Sequence, residues 1–134
     1  MKSKMMIIGM LIAISIAATS FTFFQPKPWP VPDKNSKMPN PVKADDASLK
    51  TGKEVWSKHC ASCHGKTGKG DGSKSKGLKT PAGDFTSPTV QSQTDGAFFY
   101  KINEGRDDMP GFKKKIPDAE DIWNVVNYMR TFKK

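Results

Sequence analysis

The chain has 134 residues and a net charge of +9 at neutral pH, with 22 basic against 13 acidic side chains and two cysteines. That length holds one small domain with extensions, and two cysteines exclude the disulfide framework that staples many small exported domains. The basic residues are not interleaved with stacking aromatics, so nucleic acid is set aside; a cationic face for an acidic protein partner, or a lysine-rich solubilising surface, remains.

Lys2 and Lys4 precede residues 5–24, which carry no charge. A basic end followed by an apolar run is the order of an export segment. A run of this length is long for a secretory core and long enough to span a bilayer. Ser15, Ala17 and Ala18 offer a cleavage site, while Phe21, Phe23 and Phe24 carry the apolar run past it. Residues 1–24 are therefore read as either a signal peptide or an N-terminal membrane anchor. Both place the remainder outside the cytoplasm, on the periplasmic side of the membrane.

Residues 25–45 hold six of the ten prolines, at 26, 28, 30, 32, 39 and 41. Proline removes a backbone donor and restricts its neighbour, so the segment is predicted to run extended as a semi-rigid linker. The alternative is an arm wrapped around the domain. Residues 46–134 then form the folded unit, near the lower size limit for a core built from side chains alone. Its expected class is all-α, with three main helices and long loops.

The first helix is predicted over 47–60, capped by Asp46, with Leu49, Gly52 and Trp56 on one face. Gly65, Gly68, Gly70, Gly72 and Gly77 make the next stretch a loop. The second helix spans 95–104, between a Thr94 cap and Gly105. The third spans 119–132 behind Asp118, and Ile122, Val125, Val126 and Met129 form its apolar stripe.

Cys60-Ala61-Ser62-Cys63-His64 has the C-x-x-C-H form of covalent haem attachment. Thiols three apart on a helical turn point the same way, so both can add to two vinyl groups on one haem edge. The following imidazole then points at the iron. A closed zinc site would need four ligands, and the chain has two Cys and two His with no second cluster. One covalent haem c also gives a small domain the apolar core it lacks.

The second axial position decides what such a haem does. His59 precedes Cys60 on the same helix and is read as a surface residue; Met38 sits in the linker; Met129 belongs to an apolar stripe. Met109 follows Arg106-Asp107-Asp108 and precedes Pro110-Gly111, so it has no helical face to fill and becomes the candidate ligand opposite His64.

Over 48–132 the chain resembles the class I cytochromes c, in particular single-haem bacterial members. Gly52 and Trp56, Cys60-x-x-Cys63-His64-Gly65, Gly68-Lys69-Gly70-Asp71-Gly72, Met109-Pro110 and Trp123-x-x-Val126-x-Tyr128-x-Arg130 carry the likeness. The resemblance implies a close crossing of first and last helices at Gly52, against Val125 and Tyr128. It also implies a proline carbonyl orienting His64, for which Pro81 is the candidate.

The expected function is one-electron transfer between respiratory-chain components, with no catalysis and no small-molecule substrate of its own. A haem subunit of a larger membrane oxidoreductase or oxidase complex is the alternative; a haem with an open sixth site, as in a sensor or peroxidase, is a third reading. Between 58 and 79 lie six lysines (58, 66, 69, 74, 76, 79) against Asp71, an excess of five that equals the excess over all of 46–134, where 16 residues are basic and 11 acidic. That concentration beside the haem motif points to redox partners with acidic docking surfaces.

Overall fold

A computed structural model describes residues 28–134. The apolar run at 5–24, with the signal and anchor readings that depend on it, lies outside the described residues. Among those described, no helix is long and apolar enough to cross a membrane.

The elements in chain order are α1 (Asp33–Ser36), α2 (Asp46–His59), α3 (Ala61–His64), a 3-10 turn (Ser75–Gly77), α4 (Pro88–Gln91), α5 (Asp95–Glu104) and α6 (Ala119–Arg130). No strand forms among the described residues; Arg106 and Met109 make one isolated bridge. The all-α class with three main helices is borne out.

Cap chemistry sets the helix starts. Asp45, not Asp46, caps α2: its backbone is extended and its carboxylate accepts from the Ser48 amide at 3.0 Å, while Asp46 is already helical. Thr94 caps α5 and Asp118 caps α6, as their positions before apolar-periodic runs indicate. The last helix stops at Arg130, two residues short of its predicted end, with Thr131 as C-cap.

The core gathers around Trp56, Phe98, Ile122, Val125, Val126 and Met129, each at most 3 % exposed. The crossing of α2 and α6 passes through Gly52. A Cβ there would lie 2.7 Å from the Asn124 carbonyl carbon and 2.9 Å from Tyr128 Cβ, and would overlap the Asn124 oxygen. Asn124 thus takes the place expected for Val125, because the approach is to α6 backbone rather than to its apolar stripe.

The inward face of α2 is Ser48, Gly52 and Trp56, with Leu49 half-buried at its edge. Ser48 accepts a hydrogen bond from Asn127 Nδ2 at 2.9 Å, which satisfies a polar pair inside the crossing.

Residues 28–45 differ from a freely extended linker. They lie along the domain and include one helical turn, α1, begun by amides of Asn35 and Ser36 donating to the Pro32 carbonyl. Asn40 Nδ2 donates to Asn127 Oδ1 at 2.8 Å, Thr94 Oγ1 donates to the Ser36 carbonyl at 2.6 Å, and Met38 and Val42 pack on the core. The cause is the apolar pair that flanks Pro39 and Pro41: Met38 and Val42 have a surface to cover, and a proline-stiffened chain loses little further entropy in covering it.

Candidate functional site

The C-x-x-C-H segment is built at a break. Cys60 ends α2 at φ −114°, and α3 restarts one residue later, with the Cys63 and His64 amides both donating to the Cys60 carbonyl at 3.2 and 3.0 Å. The chain leaves α3 through Gly65 at φ +80°, where a Cβ would collide with the Asp71 carboxylate. It then folds back: Gly70, Gly72 and Lys74 amides donate to the carbonyls of His64, Cys63 and Ser62. The glycine-rich loop thus splints the motif with main-chain hydrogen bonds. Trp56 adds another, its indole N–H donating to the Gly65 carbonyl at 3.1 Å.

Cys60, Cys63 and His64 line one cavity of about 640 Å³ together with Pro81, Met109 and Met129. Phe85, Phe98, Ile102 and Val125 give the cavity much of its apolar wall. Both thiols are free and half-buried. Burial, and then the neighbouring Cys63, push the Cys60 thiol up to about 12.

Burial lowers the His64 pKa, and the Ala82 backbone opposes that shift. The ring is therefore kept neutral, with a lone pair available to a metal. His64 Nδ1 is buried without a well-formed hydrogen bond, and Ala82 is the backbone neighbour acting on it. Pro81, the residue expected to orient the ring, lies next to Ala82 and lines the same cavity as His64. Phe85 packs edge-on against the imidazole at 5.0 Å and Trp56 lies at 5.8 Å, so the ring rests on one side against a pair of mutually packed aromatics.

Met109 sits in a tight turn. Arg106 and Met109 exchange backbone hydrogen bonds at 2.8 and 2.9 Å, with Asp107 in the left-handed region at φ 53°. Gly105, at φ +69°, backs directly onto Met109, Pro110 and Gly111, where a Cβ would overlap their backbone. The position held for Met129 is its core role: it is 2 % exposed, although its side chain also reaches the cavity. Met38 packs on the core from the arm. His59 is not a plain surface residue; half-buried at the rim of the cavity, it packs against Phe112 at 5.9 Å. Burial lowers its pKa, with Lys58 and Lys115 adding to the shift.

Asp108 is a residue that sequence reasoning passed over. Its Oδ2 accepts from the amides of Lys79 and Thr80 at 2.6 and 3.3 Å, tying the loop that carries Pro81 and Ala82 to the turn that carries Met109. The only local signal was an acid in a turn, which is common. All six lysines between 58 and 79 are exposed, and Lys58 and Lys74 stand at the cavity wall.

The donor set fits a haem: two thiols and a neutral imidazole on one wall, a thioether in a stiff turn on the same cavity, and apolar walls between. Cys60 and Cys63 would hold the porphyrin, and His64 and Met109 would offer an imidazole and a thioether to its iron.

The family model described as cytochrome c oxidase, cbb3-type, subunit III matches residues 47–129. No curated protein matches the sequence. Among solved structures, a chain of the reducing HAO-like protein complex of Kuenenia stuttgartiensis is similar, with a TM-score of 0.64 at 20 % identity. The match covers 81 % of this chain and 53 % of that one, so this chain spans about half the length of that relative. At such identity the likeness is one of fold.

Proposed function

Because the chain belongs to the family described as cytochrome c oxidase, cbb3-type, subunit III, a c-type cytochrome domain of haem-based electron transfer, we propose that it is a single-electron carrier with one covalent haem c held by His64 and Met109. The observation that carries this reading is the shared cavity, which brings Cys60, Cys63 and His64 of one segment and Met109 of another to one space. When bound, the haem supplies an iron that takes up and gives back one electron.

The protein's part is to hold both axial groups still. The His64 ring packs against Trp56 and Phe85 and its helix is splinted by the glycine loop. The Met109 turn is closed on itself and tied through Asp108. Ligands that stay in place in both oxidation states keep reorganisation small. A thioether from Met109 together with the His64 imidazole would favour the reduced metal relative to two imidazoles.

The exposed lysines beside the motif suit an acidic redox partner, on the periplasmic side of the membrane, with residues 1–24 as signal or anchor. The family description favours a second reading, a haem subunit of an oxidase complex. Purification from membrane and soluble fractions, followed by visible spectra of both redox states, tests both. A covalent haem that stays with the denatured chain and a red-end methionine–iron band in the oxidised protein support the carrier site. Co-purifying oxidase chains would select the subunit reading.

A further inference from the structure

The family match begins at residue 47, yet one wall of the cavity comes from outside it: Trp29. Its indole lies 4.6 Å from the Arg106 guanidinium carbon and 5.4 Å from Lys101 Nζ, within cation–π range of both. Arg106 Nη1 also donates to the Pro28 carbonyl at 3.0 Å. The placement is not a loose end settling on a surface. Further along, the same arm is pinned by the Asn40–Asn127 and Thr94–Ser36 hydrogen bonds and by Met38 and Val42 on the core.

The corner that Trp29 covers brings two cations together. Lys101 and Arg106 are both half-buried and both line the cavity. Lys101 donates to the neutral amide oxygen Gln93 Oε1, and no carboxylate pairs with it among the described residues. Arg106 pairs with Asp107 at 3.4 Å, a side chain that is 61 % exposed, so the pair is largely screened by solvent. Burial, and then Arg106, lower the pKa of Lys101, as expected where two cations share a partly dry space. Side chains in that position are stabilised by an anion between them.

We propose that Lys101 and Arg106 receive the carboxylates of the haem, and that Trp29, delivered by the N-terminal arm, covers that edge and raises the potential of the iron. The inference rests on the haem reading above. The physics is direct: cations beside the haem favour the reduced, less positive iron, and a ring that keeps water away strengthens that effect. Trp29 is here a positioning residue, acting through Arg106, Lys101 and the water it excludes.

The test is the midpoint potential of the full-length holoprotein, read from the visible bands during redox titration. Trp29→Ala should lower it by about 59 mV, a tenfold change in the one-electron equilibrium. Trp29→Phe keeps a ring over the cations and should stay near the wild type. Arg106→Gln removes a cation and the hold on Pro28 together, and should also lower the potential. A Trp29→Ala protein with intact covalent haem and wild-type potential would overturn the proposal. A wild-type chain that carries no covalent haem would instead overturn the functional reading on which it rests.

Discussion

Two methionines reach the same cavity but are held in different ways, and this separates their roles. Met109 is presented by a four-residue turn whose backbone bonds close on themselves, so its side chain is free to serve the cavity. Met129 is 2 % exposed on the inner face of α6, and its carbonyl accepts from Gln91 Nε2 at 3.0 Å. Met109→Ala is expected to abolish the methionine–iron band, lower the potential and open the iron to carbon monoxide, all read spectroscopically. Met129→Ala should keep the band and destabilise the fold by about 2–5 kcal/mol in denaturant titration. If the Met109 variant retains band and potential, another side chain holds the iron.

The crossing of α2 and α6 is the element on which the cavity depends, because it fixes Trp56 and, through Gly65, the exit of the haem motif. Gly52 permits that crossing: any side chain there runs into α6 backbone, which cannot rotate away. Gly52→Ala should therefore cost about 1–3 kcal/mol or more by overpacking, seen as a lowered unfolding midpoint. A Gly52→Ala protein as stable as the parent would show that the helices can slide apart freely. A second joint links two loops instead of two helices. Asp108→Ala removes the acceptor for the Lys79 and Thr80 amides and should loosen the turn of Met109. The expected readout is faster cyanide binding to the oxidised protein, with the haem still covalently attached.

On the scale of the molecule, a small domain with a cavity of about 640 Å³ set among its core residues lacks part of its own core until that space is filled. Replacing Cys60 and Cys63 by Ala should leave a chain that is unfolded or readily proteolysed, since marginal domains hold only about 5–15 kcal/mol in reserve. A cooperative, protease-resistant apo-domain would contradict that account of stability. The charge distribution acts at the same scale. Reversing two of Lys66, Lys69, Lys74, Lys76 and Lys79 should slow association with an acidic redox partner most at low salt. The difference should fade near physiological salt, where the Debye length is about 8 Å. Rates that ignore salt would make these lysines solubilising only.

Much of this protein was legible from short stretches of sequence. C-x-x-C-H is five consecutive residues whose chemistry depends on one helical turn, and the stripe of α6 follows from a period of 3.6 residues. Thr94 and Asp118 declared themselves as caps for the same reason, and Met109 stood out because proline and glycine surround it. What tertiary structure decided are contacts between positions far apart in the chain. Prolines at 28–41 show that a segment is stiff, but only the packed domain shows that it lies against Asn127, Thr94 and Arg106. Asp108 reads as one more turn acid until the chain brings Lys79 beside it. The pairing of Gly52 with the Asn124 backbone depends on how two helices rotate against each other. The joining of Trp29, Lys101 and Arg106 into one corner depends on where the arm is fastened. Local spacing is set by backbone geometry within a few residues; these partnerships are set by packing, where burial of distant surfaces outweighs local preference.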